Sequence, residues 1–478
     1  MYSISVMYRI SVEDIYRLNP ESKNIIRAGD KLKIPQQSGS YLYHTIQPKE
    51  TLYALSQKYK MRGEDIVAVN PGLSVETFQI GKIIRIPINQ ITSPIQGGNE
   101  EDNSNQTNSL LSKEYPGENM DTIKVALLLP FETESNTNLS SPKLVEYLEG
   151  FLLALEDFKK KDVNVKLYMF DTGMDENKIP GILKKSEMQD IHLLIGGLFE
   201  EQIKLMARFA GEKNIPYVIP LSPQSDEPYN NPNIYQVNTP TAKLFSKASL
   251  ACIKKYKNDN IILVTNKSSK PGNSDFINIL RDDLQQQKIG FNTVSIEDIT
   301  SDNFAGVLSV EKRNIFIPTN DYTKGTISGL INPLESILAA NPEYKISLFG
   351  YPDWQAFHSQ YSDDFFLLNT SFFTVFYADP TSAEVKSFYS NFYKWYSKIL
   401  IYAFPKYGIL GYDTGMYFIQ LLNKFGTSFD KNINRLDYHG IQIDFHFERV
   451  NNWAGFINTN LYVVDFNSDY SITKTVIN

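Results

Sequence analysis

The front of the chain repeats itself. Met1-Tyr2-Ser3-Ile4-Ser5 aligns with Leu52-Tyr53-Ala54-Leu55-Ser56, Glu13-Asp14-Ile15 with Glu64-Asp65-Ile66, and Asn19-Pro20 with Asn70-Pro71. The offset is 53 − 2 = 51 and 70 − 19 = 51, and one inserted residue makes it 81 − 29 = 52 at Gly29 and Gly81. Both copies close on an apolar strand and a proline, Leu32-Lys33-Ile34-Pro35 and Ile84-Arg85-Ile86-Pro87. Self-similarity of this kind marks a small structural unit used twice, which sets the architecture before any other feature is considered.

The complete copy, residues 41–88, predicts strand, helix, helix, strand. Tyr43-His44-Thr45-Ile46 alternates as a strand does. Thr51 stands as a helix N-cap before Leu52, Leu55 and Tyr59 at helical spacing. Glu64 and Asp65 place negative charge on the first turn of a second short helix, and Asn70-Pro71-Gly72 ends it. The first copy, residues 1–36, begins at the equivalent of Leu52 and has no counterpart of Tyr43 to Thr51. A two-stranded sheet lacking one strand leaves a row of backbone groups unpaired. The expectation is therefore an internal start codon, with a first strand and an export signal encoded upstream; the alternative is a degenerate, half-folded first repeat.

This doubled βααβ pattern resembles the LysM module, a fold that grips N-acetylglucosamine-containing glycans such as peptidoglycan. The resemblance implies a shallow groove between two loops. Lys49, Glu50, Thr51 and Leu52 form one side, Asn70, Pro71, Gly72 and Leu73 the other, and Gln79 and Ile80 lie nearby. Thr51 and Asn70 also read as simple helix caps. The two roles are compatible, because amides freed at a helix end are what a glycan acetamide would meet. Weak single sites would gain strength by repetition.

Residues 89–122 change character. Gln96-Gly97-Gly98-Asn99-Glu100-Glu101-Asp102 and the Asn- and Ser-rich stretch after it are polar, acidic and aperiodic. Such composition predicts a flexible tether.

From Ile123 onward strands and helices alternate, the mark of an α/β fold with parallel sheets. Ile123 to Leu129 is a nearly continuous apolar run, as in a strand covered on both faces. A helix of about Pro142 to Lys160 follows, with Leu144, Leu148, Phe151, Leu152, Leu155 and Phe158 on one stripe. The alternation restarts at Ile261, so two lobes are expected, at about 123–240 and 255–400, with crossings near 240–258 and 370–415. The alternating tail from Ile441 to Thr473 reads as strands finishing lobe two.

Several segments of residues 123–478 are similar to type I periplasmic binding proteins: Leu193-Leu194-Ile195-Gly196-Gly197, Asn214 to Ser222, Tyr235-Gln236-Val237, Gly350 to Trp354, and Gly411-Tyr412-Asp413 heading a helix. The likeness implies a ligand cleft using the Ser222 and Ser225 hydroxyls, the Gly197-Leu198-Phe199 loop and Trp354 as a stacking ring. Ser222 could equally brace its own loop, and Trp354 could be core. The loop Thr265 to Ser269 has none of the aromatic residues that amino-acid-binding members carry there, which argues against an amino-acid ligand.

Net charge is 47 − 54 = −7, the wrong sign for a protein built mainly to neutralise nucleic-acid phosphates. One cysteine, Cys252, makes neither an internal disulfide nor a thiolate zinc cage, and the five histidines fall at no metal-ligand spacing. Neither a metal nor a cofactor is expected. No apolar run reaches 18 residues, so no transmembrane helix is predicted, and Met1 to Arg9 lacks the basic head and apolar stretch of a signal peptide. Asp171-Thr172-Gly173 and Asp413-Thr414-Gly415 superficially match the paired motif of aspartic proteases. Helix capping by Asp413 and turn formation by Asp171 account for them in an α/β setting.

The sequence thus points to a non-catalytic protein of the periplasm or cell envelope. Its repeats bind peptidoglycan, and its two-lobed body takes a small ligand or an envelope protein and regulates wall synthesis. The alternative is the receptor of an ABC-type uptake system for amino acids or small peptides, and a remote one is an aspartic protease using Asp171 and Asp413.

Overall fold

A computed structural model describes residues 41–88, 100–112, 120–131, 141–265, 275–299, 306–319 and 324–477, with 4, 5, 15, 16, 18, 19, 22, 32–34, 37 and 38 before them. The chain divides into two compact units. The first holds Met1–Asn238, Thr414–Tyr438 and Phe445–Asn458, the second Thr239–Asp413, His439–Asp444 and Thr459–Asn478.

In the first unit, β1 (Gln37–Ser38) pairs antiparallel with β2 (Tyr41–Thr45), which with α1 (Leu52–Tyr59), α2 (Gly63–Ala68) and β3 (Ile83–Pro87) builds the second repeat. β2 and β3 pair antiparallel with His44 opposite Ile84. Thr51 caps α1 as expected, its Oγ1 accepting from the Ala54 amide at 3.1 Å. Leu52, Leu55, Ile66, Leu73, Ile84 and Ile86 close the core. Most of the first repeat lies outside the described residues.

The tether expectation needs correction. Residues 89–99 are outside the described set, but Glu100–Asn108 forms helix α3 and Ser109–Ser112 a turn of 3-10 helix. This segment packs on the second repeat. The Asn108 side chain accepts from the Tyr53 amide at 3.1 Å, and Leu110 and Leu111 join the repeat's core. Among the described side chains of α3 only Thr107 is buried, and the helix has no apolar stripe to announce it.

Lobe one follows with β4 (Ile123–Leu129), α4 (Ser141–Lys159), β5 (Val165–Asp171), α5 (Lys178–Leu183), β6 (Leu193–Gly196), α6 (Glu200–Lys213), β7 (Tyr217–Ile219) and β8 (Ile234–Gln236). β4 lies between β5 and β6, parallel to both, which explains its unbroken apolar run.

The second unit contains α7 (Thr241–Tyr256), β9 (Asn260–Thr265), α8 (Asp275–Gln286), β10 (Phe291–Ser295), β11 (Asn314–Pro318), α9 (Lys324–Ala340), β12 (Ile346–Gly350), α10 (Ser362–Leu367), β13 (Ser371–Thr374) and α11 (Ala383–Tyr396). Helix α12 (Tyr407–Phe425) then carries the chain from this unit back to the first, at Asp413–Thr414.

The tail also departs from expectation. β14 (Phe447–Arg449) and β15 (Phe456–Asn458) join lobe one, with β15 parallel to β8. β16 (Tyr462–Phe466) and β17 (Ile472–Val476) finish the second unit. The completed sheets run β14-β15-β8-β7-β6-β4-β5 and β10-β9-β11-β12-β13-β16-β17. Alternation along the tail identifies strands, but an apolar face says nothing about which sheet edge will cover it. The chain changes unit at Asn238, Asp413, Tyr438, Asp444 and Asn458, more often than the two crossings expected.

One feature of the second unit gives a direct pH test. Burial, then a hydrogen bond to Asp364 and repulsion from its charge, raise the Glu335 carboxyl from its ordinary 4.5 to about 7. The fold favours the protonated form, so its stabilising effect is complete below pH 4.5 and is lost as pH rises through 7. Glu335→Gln, which keeps a donor towards Asp364, should melt like the parent below pH 4.5 and higher than the parent above pH 7. Equal melting curves at both ends would remove Glu335 as the cause.

Candidate functional site

The helix-to-strand loop of the second repeat is organised by Asn70. Its side-chain amide donates to the Ile66 carbonyl and the Arg85 carbonyl, both at 2.7 Å, and its Oδ1 accepts from the Arg85 amide at 2.9 Å. The first repeat makes the same latch. Asn19 donates to Ile15 at 2.8 Å and Lys33 at 2.7 Å, and accepts from the Lys33 amide at 2.7 Å. The offsets are again 66 − 15 = 51 and 85 − 33 = 52. Asn70 is fully buried, so it shapes the loop and leaves no polar atom for a ligand.

On the facing loop, Glu50 is held in a local network. Its carboxylate meets His44 Nε2 at 2.6 Å, the Gln47 amide at 2.8 Å and Lys58 Nζ at 3.0 Å. Burial opposes the charge, but these three groups outweigh it and hold the carboxyl at about 2. Two backbone bonds, Gly81 to Ile46 at 2.8 Å and Ile46 to Lys82 at 2.9 Å, join the strand before this loop to the turn after Ile80.

Of the ten residues expected to line the groove, Lys49, Thr51, Gln79 and Ile80 are exposed, with Ile80 at 68%. Leu52 and Leu73 belong to the core. Pro71 and Gly72 are half-buried for a reason the sequence does not reveal: they meet lobe one.

That contact is extensive. The Gly72 amide donates to the Asn452 carbonyl at 2.7 Å, and Lys431 Nζ donates to the Pro71 carbonyl at 2.6 Å. A side chain on Gly72 would begin 2.4 Å from Arg449 Cδ and 3.0 Å from the Asn452 carbonyl oxygen, so only glycine permits this approach. Arg85 reaches the Asn230 side chain at 3.1 Å, and its guanidinium lies 4.8 Å from the Tyr41 ring and 4.6 Å from the Trp453 ring. Tyr43, Trp453 and Ala454 form a small buried cluster alongside. Lobe one contributes mainly through the loop between β14 and β15.

Beside the contact lies a cavity of about 310 Å³, lined by Pro71, Leu73 and Ser74 of the repeat, Leu110 and Leu111, and Asp430, Lys431 and Arg449 of lobe one, among others. Arg449 pairs with Asp430 at 2.8 Å and stacks 4.1 Å over Phe456. Burial pushes the Lys431 ammonium down from its usual range. Sequence reasoning missed Arg85, Lys431, Arg449 and Trp453. The one available signal was a charged residue within the apolar strand Ile84-Arg85-Ile86, whose outward face needed a partner.

The residues expected for a ligand cleft have local roles. Gly197 adopts φ +79°, and a Cβ there would meet the Tyr217 hydroxyl at 2.5 Å. Leu198 and Phe199 are half-buried, with Phe199 at the N-terminus of α6. Ser222 Oγ accepts from the Gln224 amide at 3.3 Å, and buried Ser225 accepts from the Glu227 amide at 3.4 Å. These are turn-bracing bonds. Trp354 is 4% exposed and stacks on Phe365 at 5.8 Å, so its ring is a core element of the second unit rather than an open platform.

The two Asp-Thr-Gly segments also have structural occupations. Asp171 Oδ1 accepts from the Phe131 amide at 3.0 Å and the Gly173 amide at 2.9 Å, a turn as expected. Asp413 does not open its helix, since α12 begins at Tyr407. It is buried and accepts from three backbone amides of Ile441, Gln442 and Ile443. Among the described residues no cluster of His, Cys, Asp and Glu could hold a metal, and no helix is long and apolar enough to cross a membrane.

Comparison with known proteins agrees with the repeats. The LysM domain family model matches residues 1–35 and 44–87. A Bacillus subtilis (strain 168) protein named as a sporulation-specific glycosylase, YdhD, is 37% identical over 87 residues, 18% of this chain and 20% of that protein. The chain therefore matches about a fifth of that relative's length. Among solved structures, an ABC transporter substrate-binding protein of Desulfitobacterium hafniense in complex with Leu is 13% identical, covering 74% of this chain and 100% of that one, with a TM-score of 0.43. A second, from Sphaerobacter thermophilus, is 14% identical over 75% and 97% of the two chains, with a TM-score of 0.47.

Proposed function

We propose that this chain is a non-catalytic protein of the bacterial cell envelope. Its LysM repeats hold N-acetylglucosamine-containing peptidoglycan, and its α/β body receives a small ligand or a protein partner in the control of wall synthesis. The observation that carries this reading is the doubled LysM repeat, together with the seating of the second copy on lobe one. A repeat fixed in this way moors the body to the glycan directly. The seating also confines glycan to the open part of the groove, at Lys49, Thr51, Gln79 and Ile80, because lobe one covers Gly72.

The cleft residues favour neither the small-ligand role nor the alternative, an uptake receptor for amino acids or small peptides. The Ser222 and Ser225 hydroxyls are explained by their own turns, and Trp354 by the core.

Co-sedimentation of the chain with purified sacculi tests the proposal. The parent should pellet with murein. Ile80→Asp should weaken pelleting by roughly tenfold while leaving the melting temperature unchanged, since an exposed contact residue is lost and no core is disturbed. Failure of the parent to pellet would sink the glycan reading. Affinity capture that returned a permease instead of wall synthases or hydrolases would move the body's role to transport.

A further inference from the structure

The chain is acidic as a whole, yet Val385 to Tyr412 contains four lysines (Lys386, Lys394, Lys398 and Lys406) and no aspartate or glutamate. The same stretch exposes large apolar side chains around the end of α11. Tyr393, Trp395 and Tyr402 are each more than half exposed, and Ile399 is 82% exposed. Ser397, in the left-handed conformation with φ 52°, caps α11 and turns the chain, and Ile399 follows two residues later. Tyr402 is tied back to the body, its hydroxyl donating to the Ala356 carbonyl at 2.7 Å, with Lys406 4.8 Å over its ring. Glu384 and Lys386 sit together at the opposite end of α11, roughly 14–16 Å along the axis from Trp395 at 1.5 Å per residue, which leaves Lys394, Lys398 and Lys406 at the end that exposes the rings.

From this juxtaposition we infer that the end of α11 and the segment after it dock onto an anionic lipid surface. Trp and Tyr rings favour the boundary between headgroups and acyl chains, where an apolar body and a polar edge are both satisfied. Lysines bury their stems and keep their ammonium groups among the phosphates. A projecting isoleucine supplies the apolar insertion that such shallow contacts need. The lysines at this end of α11 favour a negative surface, each being worth roughly fivefold in affinity near it. The inference is independent of the glycan reading and goes beyond it: the molecule would meet a membrane face with its second unit.

The chain carries its own reporter. Of the tryptophans, Trp354 and Trp453 are buried and Trp395 is 56% exposed, so changes in emission and iodide quenching on vesicle binding report on Trp395. The full chain is mixed with vesicles of phosphatidylcholine containing about one third phosphatidylglycerol, and with phosphatidylcholine alone. The expected result is flotation with the anionic vesicles, a blue shift and loss of quenching, all weakened by added salt, with little response to the neutral vesicles. Ile399→Asp should weaken anionic-vesicle binding by roughly tenfold or more and still pellet with sacculi like the parent. Leu250→Asp, an exposed apolar site on α7, should leave vesicle binding intact. Absence of flotation by the parent overturns the inference. So does equal binding by Ile399→Asp, equal loss by Leu250→Asp, or shielding of Trp395 by murein fragments in place of vesicles.

Discussion

Asp413→Ala is expected to destabilise the folded chain by about 3–5 kcal/mol, the range for removing one partner from a buried, charge-assisted network. The carboxylate is fully buried. Its Oδ1 accepts from the Ile441 amide at 2.9 Å, and its Oδ2 accepts from the Gln442 amide at 2.8 Å and the Ile443 amide at 3.2 Å. Three successive backbone donors depend on one side chain, and truncation to alanine strands those of the buried Gln442 and Ile443. Asp413→Asn supplies one acceptor oxygen and turns an amide N–H towards a neighbouring donor, so it too should lose most of the stabilisation. Urea unfolding, followed by circular dichroism, measures the effect. A loss below about 1 kcal/mol in the alanine variant would show that the amides find other partners. The same geometry explains why an Asp-Thr-Gly segment here needs no catalytic role.

How far the sequence could be read depends on where each residue's partners lie. Strands such as β4 and β9 were legible because covering both faces requires an unbroken apolar run, and that run is local. The Thr51 cap was legible because its partner is three residues away. The start of α12 was not. Gly408, Gly411 and the cluster of aromatics around them give no strong start signal, and Asp413 looks like a cap to a reader who cannot see that its acceptor atoms serve amides about 30 residues later. Helix α3 was hidden for a related reason, because most of its side chains are polar and its support comes from Tyr53 and the repeat's core. The seating of the second repeat on lobe one was out of reach altogether. Gly72 and Arg85 meet Asn452 and Trp453 across more than 360 residues of chain, and a glycine in a loop reads as a turn long before it reads as a contact.

That seating makes Asn70 the most consequential residue in the front of the molecule. Asn70→Ala removes two donors to the Ile66 and Arg85 carbonyls and the acceptor of the Arg85 amide. At about 1 kcal/mol for each bond and more for each buried group left unsatisfied, the loss is about 3–4 kcal/mol. A module of this size has little margin to absorb it, because small cores supply only about 3–5 kcal/mol. The second repeat is therefore expected to unfold, and with it the contacts that Gly72, Arg85 and Tyr43 make with lobe one. Asn70→Asp should behave no better, since it sets a negative oxygen against two carbonyls. The expected signature is rapid trypsin cleavage at Lys58, Lys60 and Arg62, together with loss of murein pelleting, while lobe one keeps its own melting transition. Ile80→Asp provides the contrast: pelleting falls but the repeat stays resistant to trypsin. An Asn70→Ala chain as protease-resistant as the parent would show that the latch seen in both repeats is dispensable, and would leave the recurrence of Asn-Pro at a spacing of 51 residues without a physical cause.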